Sequence, residues 1–203
     1  MRAGFLFCGW QLILYLCGGI KKHKNMKRLL LTLISIIVFL PACKKEIKVR
    51  TSGIDTIDNL IFQDITYYVY GFSFSQAKLV STESNPGPDI VLFLSMDEIG
   101  TPLGLALQTN SFLPSFLKIG EYDNEDEAKK AFDNLKTVPE PQKWLEWANP
   151  VVPHQVWVYR SGDEKYTKLR IVETKIEILE EVVPYGECTF QWVHQPDKSK
   201  SFP

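Results

Sequence analysis

The sequence predicts a mainly β fold: an antiparallel meander and sheets with one short α-helix at about residues 125–136. Tyr67 to Phe74 alternates, with Tyr68, Tyr70, Phe72 and Phe74 on one face and Gly71, Ser73 and Ser75 on the other, the pattern of a half-buried strand. Asp89-Ile90-Val91-Leu92-Phe93-Leu94 follows the turn cluster Ser84-Asn85-Pro86-Gly87-Pro88 and is a continuous apolar run of strand length, expected to be buried on both faces. From Val156 onward, short strand-like segments alternate with turn-forming residues, which implies neighbouring antiparallel strands.

The chain opens with two apolar stretches. Phe5 to Ile20, closed by Lys21, Lys22, His23 and Lys24, is read as part of an upstream extension over residues 1–25. The start is placed at Met26, because Lys27 and Arg28, the apolar run Leu29 to Leu40 and then Leu40-Pro41-Ala42-Cys43 have the layout of an export signal. A basic end, a short apolar stretch and a small-residue cleavage site are what the export machinery recognises. Ending on Cys43, the segment resembles the lipobox of bacterial lipoproteins, in which the cysteine becomes the lipidated first residue. Residues 26–42 are thus expected to be a signal peptide, and Cys43 the lipidation site. The expected location is the cell envelope, on the outer membrane, with the facing side open.

Residues 43–58 are polar, without a sustained apolar period, and are expected to tether a single β-rich domain over 59–203. Asn124, with Glu127 three residues on, resembles a capping box. Ala128, Ala131, Phe132 and Leu135 recur at helical spacing, with Pro139 and Pro141 beyond. The later strands are expected at Val156 to Arg160, Tyr166 to Val172, Lys175 to Leu179 and Cys188 to His194, with turns at Ser161 to Glu164 and at Pro184-Tyr185-Gly186.

Composition narrows the function. Six of the 23 basic residues precede Cys43 and all 24 acidic residues follow it, leaving 17 basic against 24 acidic and a net charge of −7. That balance argues against nucleic acid as a partner. Cys8 and Cys17 also lie upstream, so Cys188 is the remaining thiol and an intramolecular disulfide is excluded. No nucleophile elbow, phosphate-cradling glycine loop or zinc-binding His-Glu-x-x-His motif is present, and an enzyme is not expected. The acidic cluster Glu121, Asp123, Glu125, Asp126 and Glu127 lacks the spacing of a calcium loop and suits the positive end of a helix. The soft ligands of the mature chain are His154, His194, Met96 and Cys188, without the close pairing of a zinc site. Haem needs only one or two axial ligands and survives this count. Trp144, Trp147, Trp157, Tyr159, Tyr185 and Trp192 either fill a β core or line a ligand groove.

Three stretches together resemble the HmuY-like haem-binding lipoproteins of Bacteroidetes: Tyr70 to Val80 (YGFSFSQAKLV), Val156 to Ile171 (VWVYRSGDEKYTKLRI) and Thr189 to Gln195 (TFQWVHQ), in the same order. The resemblance implies a mainly antiparallel β architecture on a lipid anchor. It also implies a ligand-binding module that takes up haem or another hydrophobic ligand and passes it to an outer-membrane receptor. The family's ligands are histidines or methionines in the central part of the domain, but this chain has neither between Asn110 and Pro150. His154, His194 and Met96 are the remaining candidates, none at a matching position. The competing expectation is a structural or interaction lipoprotein with no small-molecule ligand.

Overall fold

The computed structural model describes residues 49–63, 67–109, 113–140, 143–180 and 183–203, with backbone alone at 61–63, 67 and 68. The signal segment 26–42, Cys43 and the upstream extension lie outside the described residues. The predicted mainly β class is what the chain adopts. Among the described residues the strands are β1 (Ser52–Asp58), β2 (Ile61–Gln63), β3 (Tyr67–Ser73), β4 (Lys78–Ser81), β5 (Ile90–Met96), β6 (Pro102–Thr109), β7 (Phe116–Glu121), β8 (Trp147–Val151), β9 (Gln155–Arg160), β10 (Tyr166–Leu179) and β11 (Val183–Gln195). The helix α1 spans Glu125–Asn134.

The strands form two antiparallel sheets. The first has the order β1-β11-β10-β9-β7; the second has the order β2-β3-β5-β6-β8, with β4 on β3. Their inner faces pack against each other, burying Phe72, Phe74, Leu92 and Leu107 from the second sheet against Trp157, Leu169, Phe190 and Trp192 from the first. The rings meet edge to face, Phe72 with Phe190 at 5.5 Å and Phe72 with Trp192 at 5.4 Å between centroids. Such pairs add roughly 0.5–1.5 kcal/mol each beyond the area they bury.

On the outer face of the first sheet, α1 packs over β9 and β10 through Ala128 and Phe132. Its N-terminus is capped as expected, since the Asn124 side chain accepts from the Glu127 N–H. The helix ends at Asn134, before either proline, and has no basic residue in its last turn. Lys168 of β10 takes that role: its buried Nζ donates to the carbonyl oxygens of Phe132 at 2.9 Å and Leu135 at 3.1 Å. A cation there faces the negative end of the helix dipole.

Several boundaries differ from expectation. Residues 52–58, expected within the tether, are strand β1, paired with β11 from Ser52↔Val193 to Asp58↔Glu187. This edge strand is held by its main chain and by Asp55, whose carboxylate accepts from Trp192 Nε1 at 2.7 Å, while Ile57 is its one buried apolar side chain. A strand with so little to bury has no apolar period to detect. β5 is covered on one face only: Ile90, Leu92 and Leu94 are buried, whereas Phe93 stays 46% exposed beside Trp147. On β3, Tyr70 lies beyond the pairing of Phe72 with Ile90 and remains 38% exposed, while Gly71 and Ser73, expected on an open face, are buried.

The two segments expected at Tyr166 to Val172 and Lys175 to Leu179 are one strand, with a register shift between Ile171 and Glu173. Pro184-Tyr185-Gly186 belongs to β11 and is not a turn. Pro184 is tolerated because it faces Ile178 at a position whose main chain points away from β10, so no ladder donor is lost there.

Candidate functional site

A cavity of about 420 Å³ opens at the end of the sandwich where β3 finishes and β5 begins. Ser73, Asp89, Tyr159, Lys165 and His194 contribute its polar lining. Pro86, Gly87 and Pro88, from the turn cluster read in the sequence, form one wall and deliver Asp89 to the mouth of β5. The Asp89 N–H donates to Phe72 O at 3.0 Å, while its carboxylate accepts from the Phe74 N–H at 2.8 Å and from the Tyr159 hydroxyl at 3.4 Å. Burial pushes the Asp89 carboxyl above the ordinary carboxylate range, against the opposing hydrogen bonds from Phe74, Ser73 and Tyr159. Burial, reinforced by Asp89, pushes the Tyr159 phenol up as well, so it stays protonated and able to donate.

His194 approaches from β11. Its ring stacks on Phe74, with centroids 6.1 Å apart and planes 17° from parallel, and Nδ1 lies 2.8 Å from Thr167 Oγ1. Its Nε2 is buried and has no hydrogen-bond partner among the described residues. Burial first, and then the charge of Lys165, lower its pKa to about 4, so the ring is neutral at pH 7. A neutral imidazole whose Nδ1 is engaged offers Nε2 either as a donor or as a lone pair, depending on the tautomer. Near the mouth, Lys165 and Asp163 form an ion pair at 2.8 Å. The site thus gathers a neutral histidine ring, a carboxyl group and hydroxyls around a cavity of the size small ligands occupy, roughly 300–1,000 Å³.

The three sequence-derived candidates do not converge. His194 is in this cavity. His154 occupies the turn before β9 at φ 68°, its N–H donating to Ile171 O and its C=O accepting from Tyr122. Thr167 pairs with both Tyr159 and His194, so His154, beside Ile171, sits four residues further along β10. Met96 ends β5, seven residues and roughly 20 Å from Asp89 at the rise of a strand, and is half-exposed. Haem held between two of these three side chains is therefore not what this arrangement offers; of the three, His194 alone lines the cavity. Among the described residues no group of three or more His, Cys, Asp or Glu could hold a metal ion, and no helix is long and apolar enough to cross a membrane.

Of the aromatic residues considered for a groove, Trp157 and Trp192 fill the core, and Tyr159 is the one that reaches this cavity. Asp89 is a site residue that no sequence motif singles out, although its carboxylate stands between a turn and an apolar strand. Thr167, Lys165 and Ser73 carry no such signal, because their roles depend on which strands become neighbours. A scan against protein-family models and a search of curated proteins return no match.

Proposed function

We propose that the mature chain is a lipid-anchored bacterial lipoprotein, HmuY-like in type, that acts as a ligand-binding module of the cell envelope and seats its ligand in the cavity formed by Asp89, Tyr159 and His194. The reading rests on the buried, neutral His194, whose Nε2 has no hydrogen-bond partner among the described residues and whose ring lines a cavity that polar groups from both sheets surround. Buried polar atoms in folded proteins are normally hydrogen-bonded, and an orphan beside a cavity points to a ligand or an ordered water. The signal ending at Cys43 supports the anchor, and few residues separate that cysteine from the start of β1. Haem is the ligand that the family resemblance favours, with His194 as its axial nitrogen and an outer-membrane receptor as the recipient.

Absorbance titration of the chain from Lys44 onward with haem tests this reading. Saturation near one equivalent with a shifted Soret band, lost in His194→Ala and retained in His154→Ala and Met96→Ala, supports it. A non-saturating response, or saturation indifferent to His194, removes haem from the proposal and favours the second reading, an interaction lipoprotein. That alternative has its own observation: Met96, Ile99 and Leu103 expose apolar surface at the end of β5 and the start of β6, away from the cavity.

A further inference from the structure

Among the described residues, the hairpin of β10 and β11 has a side without a strand neighbour. β9 pairs with β10 only from Tyr166 to Arg170, so among the described residues the stretch Glu173 to Leu179 has a strand, β11, on one side alone. The direction of its free main-chain groups follows from β11. The Gly186 N–H donates to Asn59 Oδ1, the Gly186 C=O accepts from the Asn59 N–H, and the His194 N–H donates to Thr51 O. Even-numbered residues of β11 therefore turn their main chain toward the β1 side. Gly186 faces Ile176 in an unbroken register, so the Ile176 N–H and C=O point away from β11, as do those of Thr174 and Ile178.

An edge of this kind templates pairing with another strand. The side chains indicate which strand fits. About a two-fold axis at Ile176, an antiparallel second copy sets Ile176 opposite itself, Lys175 opposite Glu177 and Thr174 opposite Ile178. One face of the joint then carries two Lys–Glu pairs, and the other brings together Ile176 and Ile178, which are 42% and 45% exposed in the single chain. An edge guarded against its own copy would oppose like charges, which destabilise a cross-strand pair. Lys175 and Glu177 flank Ile176 at equal spacing with opposite sign, and they already form an ion pair at 2.7 Å on that face.

We infer that the edge of β10 from Thr174 to Ile178 is a self-association surface, on which a second copy of the chain pairs antiparallel about Ile176. The joint is small and the pairing correspondingly weak. It does not depend on the ligand proposed above.

Sedimentation of the chain from Lys44 onward tests this, since Lys48–Pro203 is one compact unit. The expected result is a dimer that grows with protein concentration. Lys175→Glu and Glu177→Lys should each shift the mass to monomer, and combining them should restore the dimer. Ile176→Pro removes an N–H that has no strand partner among the described residues, so it should abolish the dimer while the circular dichroism of the monomer stays native. A monomer at every concentration overturns the inference, as does a dimer unchanged by Lys175→Glu and Ile176→Pro, or a combined variant that stays monomeric.

Discussion

The Tyr159 hydroxyl on β9 donates to the Asp89 carboxylate at the mouth of β5, 3.4 Å away, so a hydrogen bond between side chains joins the two sheets at the rim of the cavity. Asp89 also satisfies the Phe74 N–H at the end of β3. Asp89→Ala removes the acceptor of the Phe74 amide and leaves the Tyr159 hydroxyl with Thr109 as its remaining side-chain partner, and is expected to cost about 1–3 kcal/mol. Asp89→Asn keeps an acceptor oxygen and should cost clearly less. Urea unfolding of the two variants at neutral pH measures the difference.

His194 makes stability depend on pH in a defined direction. Its pKa is about 4 in the folded chain against an ordinary 6.5, so the unfolded chain binds the additional proton between those values. The stability linked to the neutral ring is complete above about 6.5 and is lost as pH falls through about 4. His194→Asn removes the titrating group, so its unfolding midpoint should fall less steeply over that window than that of the unaltered chain.

Lys168 is held under the C-terminus of α1 by two carbonyl oxygens, and burial lowers its pKa. Lys168→Met should destabilise the domain by about 2 kcal/mol, because the helix loses a charged donor at its negative end. Lys200→Ala, at an exposed ion pair with Glu140, should leave the thermal midpoint unchanged. Thermal melts of the two variants side by side check both expectations.

Two glycines separate close packing of backbone from close packing of side chains. A Cβ at Gly71 would collide with the main-chain oxygen of Ile90, whereas one at Gly186 would meet the end of the Leu105 side chain at 2.5 Å. Leu105 can turn aside and the β5 backbone cannot. Gly71→Ala is therefore expected to cost at least the roughly 1–3 kcal/mol typical of overpacking, and Gly186→Ala less. Denaturant midpoints of the pair rank them.

What could be read in advance divides along physical lines. Phe72 and Phe74, the apolar run at Ile90 to Leu94 and the helix cap at Asn124 announce themselves through local periodicity or a local hydrogen bond; the rings and the cap fall where the sequence puts them, while the run forms the expected strand but is covered on one face only. β1 escaped because its stability comes from pairing with β11, more than a hundred residues away, and from Asp55 reaching Trp192. The cavity was half legible. His194 stood out as a candidate, but its neighbours Thr167, Asp89 and Tyr159 come from three other parts of the chain that only the sheet order brings together. His154 and Met96 looked equivalent to His194 by residue type, and topology separates them.

The most direct measurement is imidazole NMR of His154 and His194 in the chain from Lys44 onward while haem is added at neutral pH. The proposed ligand-binding role predicts that the His194 ring signals shift or vanish in step with haem while those of His154 stay in place. Two histidines that both ignore the ligand, or a response confined to His154, would contradict a site built on His194.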